Sequence, residues 1–241
     1  MQNPALLVAA AGVRSRAGGV VFVRCPHALS GPYGIVVESI VDTLERRGRV
    51  VRFGTGAGVV PPDVDGAILI GTDETPRLYP LVLVDAHEPP AGVSAVWTDR
   101  AAGVQSLVTH LRERGHRQVA TIAAAGPGGD DDGYRAAREL LDRADPPTAI
   151  VCAAPQFVDG VLRAAPHLDV AAYDESGVGP LLRPGLTVAR PKWADMGRTA
   201  ANSLVNLLEG AGELFRERSL NEILTMVNAE TVNILTSKDD D

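Results

Sequence analysis

Cysteine and positive charge are both scarce in this sequence of 241 residues. The two cysteines, Cys25 and Cys152, lie too far apart to suggest a disulfide framework or a metal site, which is typical of a reducing cytoplasm. The net charge of −7 argues against a surface that neutralises phosphates, so nucleic-acid binding would need a local basic patch. No apolar run approaches the ~18 residues of a membrane span. The run Ala5–Val13 has no Lys or Arg before it, which argues against a secretory signal. We therefore expect a cytoplasmic protein without membrane contact, bound metal or cofactor.

The sequence does contain enough apolar material for a large core. Apolar residues make up 45% of the chain and charged residues 22%, and a chain of this length can form one large domain or two lobes. The stretch Trp97–Ile122 is the most informative. Its pattern predicts the end of a strand and then an amphipathic helix that Asp99 caps. Gly115 ends this helix, and a second strand follows.

Short apolar runs alternate with helical patterns along most of the chain. This alternation predicts an α/β fold with parallel sheets, right-handed crossovers and strands that are covered on both faces. The predicted strands are Val20–Arg24, Val50–Phe53, Ala67–Ile70, Leu81–Val84, Ser94–Trp97, Val119–Ala123, Ala149–Ala153, Val170–Tyr173 and Thr231–Thr236. The predicted helices are Gly34–Gly48, Arg100–Arg114, Gly133–Leu141, Phe157–Ala165 and Lys192–Leu208.

Polar residues follow most of the predicted strands. Ligands of such folds bind beyond the carboxyl ends of the strands, so we expect these residues to converge in a cleft and to orient a small ligand against apolar walls. In chain order they are Cys25 to His27, Thr72 to Glu74, Asp85, His87, Asp99, Arg100, Pro155, Gln156, Asp174 and Glu175.

Several polar residues also have a structural explanation. Asp99 lies just before a helix, so N-capping alone accounts for it without excluding a second role. Cys25 and His27 suggest a nucleophile and a base, but two residues apart on one loop they rarely reach the needed geometry. The stretch Gly126–Gly129 leads to a helix as a phosphate loop does, but acidic residues follow it in place of a Lys, which predicts a flexible linker. His116 is typical of a structural turn residue.

Seven segments together resemble the effector-binding domain of the lactose/galactose-repressor (LacI/GalR) family. The resemblance implies a two-lobed, periplasmic-binding-protein-like fold of type I, a small-molecule effector between the lobes, and a homodimer to which the helix Gly34–Gly48 contributes. The matching segments extend over the chain from about residue 19, and they are Asp65–Gly71, Leu81–Asp85, Trp97–Ile122, Pro146–Gln156, Val170–Glu175, Pro184–Pro191 and Met196–Ala201.

The resemblance also implies a division of the chain. Residues 1–18 resemble the hinge that links headpiece and sensor in the family. Residues 19–93 and 176–210 would form the first lobe, residues 94–175 and 211–236 the second lobe, and residues 237–241 an acidic tail. No helix-turn-helix headpiece precedes the hinge-like segment, so we expect no sequence-specific nucleic-acid binding by this chain alone.

The predicted second lobe departs from the family pattern. After Val119–Ala123 the family has a helix with a ligand-binding Arg and then a strand, whereas here Gly126–Asp132 leads directly to Gly133–Leu141, which resembles the next helix. We therefore expect a second lobe that is pruned by one helix–strand unit. Val119–Ala123 would become a new sheet edge, and an exposed apolar edge invites pairing with another chain. The Asn-Asp pair expected before Gln156 is replaced by Ala154–Pro155.

We predict the ligand-binding residues from their positions after strands and from the resemblance to the family. Asp85 and Asp174 match acidic ligand contacts of the family, whereas the missing Arg and Asn would each remove hydrogen bonds to a sugar that are worth about 1–3 kcal/mol. The complete predicted set is Tyr33, Asp73, Asp85, Asp99, Arg100, Gln156 and Asp174.

We interpret the chain as a LacI-type sensor domain for a small polar molecule of the sugar or nucleoside class. One alternative is a degenerate effector-domain fold that is reused as a homo-oligomeric interaction module, which the pruned lobe favours. A second alternative is a recruited enzyme that uses acids such as Asp85, Asp99 and Asp174, although no spacing in the sequence requires catalysis. A transporter's solute-binding protein shares the architecture, but the missing export signal weighs against it.

Overall fold

The computed structural model describes residues 19–26, 32–56, 58–75, 80–123, 130–174, 186–210, 216–219 and 221–225. The strands are β1 (Val20–Cys25), β2 (Val50–Thr55), β3 (Gly66–Ile70), β4 (Leu81–Val84), β5 (Ser94–Thr98), β6 (Val119–Ile122), β7 (Ala149–Cys152), β8 (Asp169–Tyr173), β9 (Thr187–Pro191), β10 (Arg216–Ser219) and β11 (Asn221–Thr225). The helices are α1 (Pro32–Arg46), α2 (Arg100–Glu113), α3 (Asp130–Leu141), α4 (Val158–Ala164) and α5 (Trp193–Leu208), with a 3-10 turn at Pro155–Phe157. The predicted α/β class, with parallel sheets flanked by helices, is confirmed.

The chain divides into two compact units. Unit 1 comprises Met1–Thr98 and Lys192–Ser219, and unit 2 comprises Asp99–Pro191 and Leu220–Asp241. The chain therefore passes from one unit to the other after Thr98, after Pro191 and after Ser219.

Unit 1 is built on a six-stranded sheet in the order β10-β5-β4-β3-β1-β2, and every pair of neighbours is parallel. Its central strands are apolar at nearly every position because both faces are covered. Residues of one face pack with α1 and α5, and they include Val21, Val23, Ile68, Ile70, Val82 and Val84. Residues of the other face pack with Val60 and Val64 from the β2–β3 connection, and they include Phe22, Ala67, Leu69, Leu81 and Leu83.

Unit 2 has a five-stranded sheet in the order β11-β9-β8-β7-β6, in which only β11 runs antiparallel to its neighbour. Leu107 and Leu111 of α2 pack on one face of this sheet, while α3 and α4 pack on the other. The ring of His116 lies between two side chains at the amino ends of the strands, with Nδ1 3.1 Å from Thr148 Oγ1 and Nε2 2.9 Å from Asp169 Oδ2. His116 thus ties the α2–β6 turn to the strands β7 and β8.

The strand β6 lies at one edge of the unit 2 sheet. Within the described ranges its pairing partner is β7, with Val119 opposite Ala149 and Ile122 opposite Cys152. No further strand of the described residues covers the other side of β6. This agrees with the expectation that a missing helix–strand unit leaves β6 as a sheet edge.

The predicted domain boundaries differ from the observed units at each crossover. Ser94–Thr98 was expected in the second lobe, but it forms β5 and pairs with β4 in unit 1. Thr187–Pro191 was expected in the first lobe, but it forms β9 and pairs with β8 in unit 2. Arg216–Ser219 was expected in the second lobe and pairs instead with β5. In each case the chain completes a strand in one sheet before it leaves that unit. The predicted strand Thr231–Thr236, the hinge-like segment 1–18 and the acidic tail lie outside the described residues.

The helices α1 and α5 pack closely because one residue between them has no side chain. A Cβ atom added at Gly197 would lie 2.5 Å from the carbonyl oxygen of Val36 and 2.8 Å from the Cβ atom of Ser39. The carbonyl belongs to the helix backbone at the buried residue Val36 and cannot move away cheaply. Gly197 therefore sets the distance between the two helices that cover one face of the unit 1 sheet.

We expect Gly197→Ala to lower the free energy of unfolding by about 1–3 kcal/mol, since the added methyl group overpacks this contact. The sign is informative, because Ala in an unconstrained helix would be more stable than Gly by about 1 kcal/mol. Urea unfolding followed by circular dichroism measures the difference. The exposed neighbour Arg198 provides the control, and Arg198→Ala should stay within about 0.5 kcal/mol of the wild type. An alanine variant at Gly197 as stable as the wild type would contradict this account of the contact.

Candidate functional site

Asp85 has the most unusual backbone conformation at the strand ends. It follows β4, and its φ of 53° makes it the one non-glycine residue with positive φ among the described residues. Its N–H donates a hydrogen bond to the carbonyl oxygen of Val96 on β5 at 2.8 Å, which fixes the conformation. Aspartate tolerates the left-handed region better than most residues, but the conformation still costs free energy. Such strain concentrates at ligand-binding and catalytic sites.

The carboxylate of Asp85 accepts a hydrogen bond on each of its oxygens. The hydroxyl of Tyr33 donates to Oδ2 at 3.0 Å, and the hydroxyl of Thr98 donates to Oδ1 at 3.2 Å. Tyr33 lies in the first turn of α1 and Thr98 ends β5, so two separate elements orient the carboxylate. The three side chains are only partly buried.

The ring of Tyr33 is itself fixed by two neighbours. It meets the ring of Trp193 edge to face, with centroids 6.3 Å apart and an interplanar angle of 84°. On another side it lies against Gly71, where an added Cβ atom would come within 3.0 Å of the Tyr33 hydroxyl oxygen. Gly71 also has a φ of +63°, so both space and backbone conformation require glycine there. We call Tyr33, Gly71, Asp85, Thr98 and Trp193 the Asp85 cluster.

A second group of candidate side chains lies in unit 2. The guanidinium of Arg100, in the first turn of α2, lies over the ring of Tyr173 at 5.7 Å from its centroid. Tyr173 ends β8 and is fully buried, whereas Arg100 is exposed. Asp174 follows directly and is only 1% exposed, and its N–H donates to the carbonyl oxygen of Ala189 at 2.9 Å. We call Arg100, Tyr173 and Asp174 the Arg100 cluster. It consists of an exposed cation over a buried aromatic ring and a buried acid that directly follows this ring at the carboxyl end of β8.

Asp99 has a structural role that its position predicts. Its Oδ1 accepts a hydrogen bond from the backbone N–H of Ala102 at 2.9 Å, which caps the amino end of α2. Asp73 is exposed and accepts a hydrogen bond from the backbone N–H of Glu88 at 3.2 Å, so it connects two loops. Gln156 lies exposed in the 3-10 turn after β7. Two of the predicted residues, Tyr33 and Asp85, are connected by a direct hydrogen bond.

Four residues of the two clusters, Gly71, Thr98, Trp193 and Tyr173, were absent from the predicted set. Thr98 was missed because the sequence pattern ends the strand at Trp97, although a hydroxyl after an apolar strand was available as a signal. Trp193 begins an amphipathic helix and reads as a core residue, which its 6% exposure also indicates. Tyr173 was assigned only to its strand.

The cysteines offer little support for a nucleophile. Both are buried, and burial raises the pKa of the Cys152 thiol to about 12, so it stays protonated near neutral pH. His27, the proposed base beside Cys25, lies outside the described residues, as does Gly126–Gly129. In the part of the chain that the structure describes, no group of three or more His, Cys, Asp or Glu side chains is arranged to bind a metal ion.

None of the helices in the described ranges is both long and apolar enough to cross a membrane.

Comparisons with known proteins agree on one fold. Residues 108–225 match the family model described as a periplasmic binding protein-like domain. The HTH-type transcriptional repressor CytR of Escherichia coli K12 is 22% identical over 257 aligned positions, which cover 82% of this chain and 75% of the repressor. A LacI transcriptional regulator from a Rhodococcus species superposes with a TM-score of 0.64 at 22% identity, covering 86% of this chain and 97% of that one. A LacI family regulator from Enterococcus faecium, with bound ribose, gives a TM-score of 0.61 at 18% identity, with 86% and 97% covered.

Substitution of Asp99 separates capping from any other role. We expect Asp99→Ala to cost about 1 kcal/mol of folding free energy, because the N–H of Ala102 loses its acceptor. Asp99→Asn and Asp99→Ser keep a capping oxygen and should remain close to the wild type in urea unfolding. A loss of stability in the Asn variant equal to that in the Ala variant would mean that the charge of Asp99 matters more than the cap.

Proposed function

We propose that this chain is an effector sensor for a small polar molecule of the sugar or nucleoside class, because it is similar in fold to LacI-family regulators and residues 108–225 match a periplasmic binding protein-like domain. The Asp85 cluster carries this proposal. A carboxylate whose two oxygens are oriented by Tyr33 and Thr98 is an acceptor with a defined geometry, which suits a ligand rich in hydroxyl groups.

The aromatic residues of the cluster support the same class of ligand. The ring pair of Tyr33 and Trp193 provides a rigid apolar wall beside the acceptor, and a few polar groups on apolar walls are typical of small-molecule sites. The Enterococcus faecium regulator of similar fold has bound ribose, so a pentose or a ribonucleoside is the first choice of probe.

The Arg100 cluster would supply a second set of contacts in this proposal. Arg100 has five N–H donors and would replace part of what the family's missing Arg contributes. Asp174 would serve as a further acceptor, while Asp73, Asp99 and Gln156 are proposed as peripheral contacts. A regulator of transcription acts where the chromosome is, so we also place the chain in the cytoplasm.

The alternatives depend on other observations. Reuse as an interaction module is favoured by the edge position of β6 and by the reduced set of polar residues in unit 2. A recruited enzyme has weaker support, because the acids at the strand ends accept hydrogen bonds in fixed positions and the Cys152 thiol is protonated near neutral pH. We therefore keep the interaction module as the second candidate.

A thermal-shift screen against D-ribose, hexoses and ribonucleosides tests the proposal. At a concentration one hundred times its dissociation constant, a ligand stabilises the folded state by about 2.7 kcal/mol, which raises the melting temperature by several degrees. We expect one compound class to give this shift. Asp85→Asn should weaken binding about tenfold or more, since one carboxylate oxygen becomes an amide donor.

Asp42→Asn is the matched control for this experiment. Asp42 lies on α1 of the same unit and pairs with Arg46 at 2.7 Å on the surface, so its loss should leave the shift unchanged. An undiminished shift in Asp85→Asn would remove Asp85 from the site. No shift with any compound, together with a stable oligomer, would favour the interaction module.

We also propose that the chain is a homodimer, and an apolar surface of unit 1 supports this. The strand β2 is an edge strand in the described residues, and its Val50 and Phe53 are 56% and 39% exposed. Ile35 in the first turn of α1 is 46% exposed. Phe53 and Val51 point to the same face of β2, and Val51 packs against the core that α1 covers. Phe53 is therefore on the side of the sheet that α1 covers, and α1 also carries Ile35. Exposed apolar residues on an edge strand favour pairing with a second copy.

Light scattering of Phe53→Glu tests the assignment of this surface. A buried, unpaired carboxylate is costly, so we expect the mass to fall from two chains toward one at micromolar concentration. Val59→Glu is the control, because Val59 is an apolar residue that is 90% exposed in a loop of the same unit. A dimer that persists in Phe53→Glu, with folding retained, would assign the interface elsewhere.

A further inference from the structure

Thr98 occupies a special place in the chain as well as in the Asp85 cluster. It is the last residue of β5 and the last residue of unit 1 before the chain enters unit 2. Its hydroxyl donates to Asp85 Oδ1 at 3.2 Å, and the next residue, Asp99, caps α2. Two consecutive residues at the crossover thus make side-chain hydrogen bonds that fix their positions, one within each unit.

The other donor to Asp85 is linked to a second crossover. The chain returns to unit 1 at Lys192, and the next residue, Trp193, packs edge to face against Tyr33. Tyr33 in turn donates to Asp85 Oδ2 at 3.0 Å. A continuous series of contacts therefore runs from Thr98 through Asp85 and Tyr33 to Trp193, entirely within unit 1. It joins two of the three points at which the chain changes units.

The hydroxyl of Thr98 is not needed for the strand. Valine has the same shape and an equally high β-propensity, so packing in β5 would be served as well without a donor. The hydroxyl contributes the hydrogen bond to Asp85, which valine could not make. The left-handed backbone of Asp85 is also bonded to β5, through the carbonyl oxygen of Val96.

We propose that Thr98 is a positioning residue for Asp85, and that it transmits a change at the Asp85 carboxylate to the first crossover. A ligand hydroxyl that donates to Oδ1 draws on the same lone pairs as Thr98, so ligand binding alters the contact of the last residue of unit 1. This inference rests on the proposed function, in which Asp85 contacts the effector. Beyond the proposed function, the inference assigns Thr98 as a residue that contacts the carboxylate, and it describes how ligand binding affects the first crossover.

Amide hydrogen exchange measured by NMR tests the positioning role without any ligand. We expect Thr98→Val to speed exchange at the Asp85 amide about tenfold, because a hydrogen bond to a charged group is lost. Thr98→Ser keeps the donor and should restore slow exchange. The amide of Ala67, which donates to Pro80 at 3.0 Å at the other end of the same sheet, reports general loosening and should not change. Equal exchange at Asp85 in the wild type and Thr98→Val would overturn the positioning role.

Titration with D-ribose, or with whichever compound of the thermal screen stabilises the wild type, tests the transmission. We expect Thr98→Val to weaken binding about tenfold, while Thr98→Ser stays within about threefold. If Asp85→Asn abolishes binding but Thr98→Val changes neither binding nor exchange, the inference fails and the proposed function stands. If a compound binds but Asp85→Asn binds it normally, Asp85 is removed from the site and transmission from Asp85 fails, while the sensor function itself stands. If no compound binds, transmission fails for lack of an effector, and the exchange experiment alone decides whether Thr98 positions Asp85.

Discussion

Burial of the parallel strands on both faces is the constraint on which the rest of the structure depends. β3 and β4 have no exposed residue, and α1 and α5 can cover them closely because Gly197 lets the two helices approach. Parallel strands need a crossover between them, so the carboxyl ends of the parallel strands lie along one edge of each sheet. Polar residues are mostly excluded from the covered faces, with Arg24 and Ser94 as buried exceptions, and several collect at this edge. The positions of Asp85, Thr98 and Asp174 follow from that exclusion.

The Asp85 cluster shows how the sheet orients a polar group. Asp85 follows a fully buried strand, and its backbone N–H bonds to the neighbouring strand while its side chain turns toward α1 and the end of β5. Two elements, α1 and β5, therefore orient the carboxylate of a residue with positive φ. Retaining aspartate in a conformation that glycine adopts freely is favourable only if the side chain contributes something. Its two hydroxyl donors supply part of the compensation, and an effector would supply the remainder.

Sequence reasoning predicted most of the apolar strands well. Leu81–Val84 is identical in prediction and structure, and seven other predicted strands differ by one or two residues, because continuous apolar runs between turn signals leave little choice. Thr187–Pro191 was not predicted as a strand, although as β9 it pairs with β8 and β11. Arg216–Ser219 has no apolar pattern and becomes a strand only by pairing with β5, which a local pattern cannot reveal. The same limit applies to the site. Asp85 and Tyr33 were predicted individually, whereas the contact with Thr98 depends on the register of β4 and β5, which three-dimensional pairing sets.

The two clusters differ in how firmly their polar groups are fixed, and this difference bears on selectivity. In unit 1, Asp85 has a donor on each oxygen and its neighbour Tyr33 is wedged between Gly71 and Trp193. In unit 2, Arg100 is exposed and its guanidinium lies over the ring of Tyr173, and the ligand-binding Arg expected from the family resemblance has no counterpart in the sequence. A preorganised group discriminates between ligands because it cannot move to satisfy a poor match, whereas an exposed Arg adapts to many. If Asp85 contacts the effector as we propose, discrimination between ligands should arise mainly from the Asp85 cluster.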